Sequence, residues 1–174
     1  MIIILQSAKP CSDKPRYQAT IDFIWMLFYY LLRPVEYANV SGDAQHPLCL
    51  KNISSIVGAM HIKHPHLYIL DQLHASNLTS LTFTTQKNSV KGEKLSHASH
   101  GQHFMSTLWA TNRCAAHLIS HNAPPNTQLH VDYNKAVCRR AVSYAMITSL
   151  LRVAALTIPG HVDVDQQNIS ARSL

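Results

Sequence analysis

The chain has 174 residues, with 15 lysines and arginines against 9 acidic residues, 12 histidines and 47% hydrophobic residues. That length suits one domain with a buried core, and a charged fraction of only 14% excludes disorder as the main state. Five glycines, with neither a GxGxxG nor a GxxxxGK[ST] run, exclude the glycine-rich phosphate loops, so no nucleotide cofactor is expected.

Met1–Leu5 is apolar but short, with no basic region before it and no cleavage site after it, so a signal peptide is not expected. Residues 1–16 read as a polar lead-in carrying Pro10 and Pro15, and residues 17–174 as the domain proper. Thr20 can cap a helix over 21–32, with Asp22 in its first turn. That segment is apolar nearly all round, which predicts a place in the middle of the core. Its apolar run, Phe23 to Leu32, is about half the ~20 residues needed to cross a bilayer, so no membrane partner is expected.

Between 46 and 85 the pattern turns β-rich, with short runs at 48–50, 53–60 and 67–70. The best strand is 78–85, where Leu81 and Phe83 alternate with threonines. Residues 86–92 have turn chemistry and 93–96 can pair back as a hairpin arm; 97–106 are polar and histidine-rich. Helices are expected over 107–121 and, amphipathic, over 142–158, the second stopped by Pro159-Gly160. The fold class expected is α+β: a mostly helical domain with a small antiparallel β-sheet.

Charge is uneven along the chain. Residues 75–160 hold Lys87, Lys91, Lys94, Arg113, Lys135, Arg139, Arg140 and Arg152 against only Glu93 and Asp132. Such an excess suits a polyanion, because each neutralised phosphate releases counterions. Lys91, Lys94, Arg139 and Arg140 are the candidate DNA-contacting residues.

Metal and hydrolase chemistry find little support. His61, His64 and His66, then His97, His100 and His103, and His117 with His121 all have ligand-like spacings. No cysteine or carboxylate supports them, and Leu118 stands where an HExxH motif needs its glutamate. Cys11, Cys49, Cys114 and Cys138 form no CxxC pair, and no GxSxG elbow is present. Neither a metal nor another cofactor is expected.

Three separated elements carry a more specific signal: Leu31-Leu32-Arg33-Pro34-Val35-Glu36-Tyr37 after the apolar helix, Lys87 and Lys91 in the 86–92 turn, and Ile169-Ser-Ala-Arg172-Ser-Leu174. In this order they resemble the catalytic domain of tyrosine recombinases (phage-type integrases), especially those borne by eukaryotic mobile elements. The stretch His121–Leu129 is similar to a linker of those members. The resemblance implies an incomplete recombinase core over 17–174 and a DNA partner, with DNA strand breakage and rejoining as the ancestral activity. Without a secretory signal an intracellular chain is expected, and the resemblance makes it nuclear in a eukaryotic host and leaves self-association with a second protomer open.

By that resemblance Arg33 is the first phosphate clamp, Glu36 its buttress, and Lys87, with Lys91 as the alternative, the general acid for the leaving 5′-oxygen. Arg172 stands where the family's box usually has histidine. The box's arginine would fall at position 175, and none of the seven tyrosines follows Arg172. A truncated core, inactive alone and binding DNA weakly through its backbone, is therefore expected. The alternatives are a small histidine-rich protein that binds a partner or a metal, or an open reading frame without selected function.

Overall fold

The computed structural model describes residues 14–32, 48–63, 70–84, 92–99, 106–134 and 138–156. Helix α1 spans Lys14–Tyr29. It begins before Thr20 because Pro15 falls in the first helical turn, where its missing N–H and fixed φ are tolerated. Thr20 and Asp22 are consequently mid-helix and buried, not at an N-terminus. As the all-round apolar pattern predicts, Phe23, Ile24, Trp25, Met26 and Leu27 are buried in succession. Each of these large side chains contributes about 1.5–3 kcal/mol by leaving water.

A 3-10 turn over Leu50–Asn52 leads into β1 (Ile53–Val57), which folds back on β2 (Met60–Ile62). Gly58, at φ +57, opens their two-residue turn, a conformation that costs glycine nothing. The 53–60 run is thus a hairpin where one strand was expected. Leu70, expected at the end of a β-run, instead starts the short helix α2 (Leu70–His74). Strands β3 (Leu78–Thr82) and β4 (Lys94–Ala98) follow, and the sheet is antiparallel throughout in the order β2-β1-β3-β4.

Helix α3 (Thr107–Ser120) matches its expected span to within a residue. It packs against α1, α2 and the sheet, and its buried set, from Leu108 through Asn112 and Cys114 to Leu118, covers most of its circumference. Asn112 is fully buried and joins three elements to α3. Its amide nitrogen donates to the Leu73 carbonyl at 2.8 Å and to Ser76 Oγ at 2.5 Å. Its oxygen accepts from Thr79 Oγ1 at 3.1 Å and from Ser55 Oγ at 3.4 Å.

Two further strands, β5 (Val131–Asn134) and β6 (Cys138–Ala141), form a separate two-stranded ribbon that was not among the expected elements. Helix α4 (Tyr144–Leu156) closes the described chain, within the expected 142–158. The whole is helices plus a small antiparallel sheet, in keeping with α+β. Among the described residues no helix is long and apolar enough to cross a membrane.

Candidate nucleic-acid interface

The end of α1 is built by its hydrogen bonds. Leu32 N–H donates to the Leu27 carbonyl at 2.9 Å and Leu31 N–H to the Phe28 carbonyl at 3.3 Å, with Leu31 left-handed at φ +51. This is a Schellman turn with leucine at the position that favours glycine. It is exposed there, whereas Leu32 is buried. The next residue in sequence is Arg33. Helix α3 ends the same way, Ala123 N–H donating to the Leu118 carbonyl and Asn122 N–H to that of Ile119, with Asn122 at φ +54.

Aromatic rings tie the end of α1 to β4. The Tyr30 ring meets the His97 ring edge-on at 4.7 Å, and the Tyr29 ring lies 6.2 Å from it. Burial pushes the Tyr30 phenol up to about 12, with Thr111 acting weakly the other way. A phenol so placed stays protonated at neutral pH and is a poor nucleophile.

Strands β3 and β4 form the hairpin expected from 78–96. Register pairs Thr82 with Lys94, and Phe83 N–H donates to the Glu93 carbonyl while Gly92 N–H donates to that of Phe83. The pairing therefore stays closed to Phe83 and Gly92, and the connection between them carries Lys87 and Lys91. Lys94, exposed at the start of the edge strand β4, is the expected DNA contact whose side chain is described.

In the ribbon, Arg139 stands opposite Tyr133 and Arg140 opposite Asp132. Arg113, another member of the basic middle segment, is committed elsewhere. Its Nε donates to both Asp22 oxygens at 2.9 and 2.8 Å, and its Nη2 reaches Oδ1 at 2.5 Å. Gln18 adds a fourth bond to that carboxylate at 3.0 Å. Burial raises the Asp22 pKa, and the Arg113 guanidinium pulls against it.

No family model, curated protein or solved structure matches this chain. Arg33, Glu36, Lys87, Lys91 and Arg172 lie outside the described residues, as do His64, His66, His100 and His103. His117 and His121 do share a helix face, their ring centroids 5.0 Å apart, but no group of three or more metal-ligating side chains occurs among the described residues. Sequence reading missed the Asp22–Arg113 pair, because its partners stand 91 positions apart and no local pattern links them. It also missed the ribbon, whose alternation of apolar and polar residues in Val131-Asp-Tyr-Asn134 was the available signal.

Proposed function

We propose that this chain binds DNA through its phosphate backbone, as a domain of tyrosine-recombinase type that forms no covalent link to DNA on its own. The observation that carries the reading is the β3–β4 hairpin, whose connection bears Lys87 and Lys91 between paired strands, as the recombinase resemblance requires of its lysine. Two further features support it. The buried helix α1 turns sharply at Leu31, two residues before Arg33, and its end lies against β4 of the same hairpin through Tyr30 and His97.

In this reading Arg33 and Lys87 serve one phosphate, the arginine by paired hydrogen bonds and the lysine as a proton donor. Glu36 orients Arg33, Arg172 approaches from the box position, and Lys94 adds a backbone contact. Binding of this kind is sequence-tolerant and steeply salt-dependent.

Fluorescence anisotropy with mixed-sequence duplexes over a salt series tests the binding. The expected result is a linear fall of log K with log salt, little changed between sequences. Binding that ignores salt, or that needs added zinc, overturns the reading. Incubation with a nicked suicide duplex followed by denaturing electrophoresis tests the chemistry. No adduct is expected, and a protease-sensitive adduct lost in Arg33→Ala refutes the non-covalent assignment.

A further inference from the structure

Helix α3 carries one histidine in its last turn, His117, and another at its C-cap, His121. They stand four residues apart, so their side chains leave the helix on one face. His117 is half-buried and His121 is exposed. Their ring centroids lie 5.0 Å apart, with the ring planes at 72°.

That separation suits two imidazoles on a common metal ion. A zinc–nitrogen bond is about 2.0–2.1 Å and the ring centre lies about 1.2 Å further along it, so each centre stands about 3.2 Å from the ion. Two such centres are about 5.2 Å apart at the tetrahedral angle and about 4.5 Å apart at a right angle. The observed 5.0 Å falls between them, nearer the tetrahedral value. Aiming one nitrogen of each ring at the shared point asks for rotation about χ2, a soft torsion in histidine. A ligating imidazole keeps its second nitrogen for a hydrogen bond, so the site asks for only one nitrogen of each ring.

The backbone holds the pair in place. His121 N–H donates to the Leu118 carbonyl at 3.3 Å, and Ala123 N–H donates to the same carbonyl at 3.0 Å. Ser120 Oγ donates to the His117 carbonyl at 2.8 Å. Ligands ordered before the ion arrives lose little freedom on binding it. The charges nearby tolerate a dication. The pair sits at the negative end of the α3 dipole. Arg113, one turn before His117, is matched by its ion pair with Asp22, and Asp22 lies close enough to His117 for their charges to interact.

We propose that His117 and His121 form a two-imidazole zinc site, completed by water, that clips the last turn of α3 into the segment that follows. Among the described residues no third metal-ligating side chain joins them. An ion held across this turn favours its helical form over frayed ones and so stabilises the folded chain. The site stands apart from the DNA-binding reading, which it neither needs nor supports.

Histidine-ring proton–nitrogen NMR spectra of the full chain, titrated with zinc sulfate at neutral pH, test the proposal. The ring signals of His117 and His121 are expected to shift together, with one dissociation constant below about 1 mM. His121→Gln should weaken zinc binding at His117 by about tenfold or more, and His117→Gln should do the same at His121. Acidification should reverse the shifts, because protons compete for both rings.

Separate constants for the two rings, a His117 shift that survives His121→Gln unaltered, or half-saturation only above about 1 mM overturns the proposal. Circular dichroism checks the folding of each variant. If one variant fails that check the reciprocal one decides, and the shared constant in the unmodified chain is a test that needs neither.

Discussion

Replacing Arg113 with methionine should destabilise this protein strongly at neutral pH and much less in acid. Asp22 is 2% exposed, and three of the four hydrogen bonds recorded to its carboxylate come from Arg113. Methionine fills the space of the arginine stem, so the change chiefly removes charge and donors. What remains is a buried carboxylate with one amide donor, Gln18. Breaking a buried pair from one side costs about 3–5 kcal/mol, against a total stability of about 5–15 kcal/mol for a domain.

The pH dependence follows from the direction of the shift. Burial already raises the Asp22 pKa above 3.8 with Arg113 present, and without it the opposing pull is gone. A carboxyl whose folded pKa lies above its unfolded value favours folding below the unfolded pKa and loses that contribution as pH rises through the folded one. The difference between wild type and Arg113→Met should therefore grow from pH 4 to pH 7. Urea unfolding at both pH values measures it. A difference below about 1 kcal/mol at pH 7, or one equal at both pH values, would refute a desolvated, Arg113-dependent carboxylate. The double variant Asp22→Leu/Arg113→Met should recover most of the loss, since an apolar pair carries no desolvation cost.

Leu31→Gly should stabilise the protein by about 0.5–1 kcal/mol, the relief of a left-handed leucine less the extra freedom of unfolded glycine. Thermal unfolding should shift up by about 2 °C, while Asn122→Leu should shift it down; a fall in Leu31→Gly would mean the leucine is held by more than the turn. His130 is buried against Phe23, its Nδ1 has no hydrogen-bond partner among the described residues, and burial lowers its pKa to about 4. A depressed histidine adds stability above about 6.5 that is lost as pH falls toward 4, so His130→Leu should flatten the decline of the urea midpoint across that window. An unchanged slope would remove His130 as its source.

Legibility in the sequence followed the range of the forces involved. The apolar circumference of α1, the span of α3 and the alternation in 78–83 are local signals, and the corresponding elements formed near their expected positions. The first turn of α1 was misjudged because Pro15 reads as a breaker when it stands as a helix opener. Leu70 was misjudged because four apolar or aromatic residues in a row fit a strand or a buried helix equally well. At the candidate site, the lysine-bearing hairpin could be seen from its turn chemistry. The commitment of Arg113 to Asp22, and the opposition of Asp132 to Arg140, could not, since each depends on a pairing that only folding creates.

The buried amide of Asn112 constrains how this protein can change over generations. Its four partners come from Leu73, Ser76, Ser55 and Thr79, on segments spread from position 55 to 79, while the amide itself waits at 112. Replacing Ser76 strands one Asn112 N–H in the interior, and replacing Asn112 removes the partner shared by three buried hydroxyls, at about 1–3 kcal/mol for a group left unpaired. Exchanging the whole set for apolar residues strands none. A route that changes Ser76 or Asn112 first passes through a less stable intermediate, so descendants of this chain should keep or exchange those two positions together. Positions 76 and 112 then behave as one heritable character, and a comparison of diverged copies should find their residue types changing in concert, with 55 and 79 freer to vary singly.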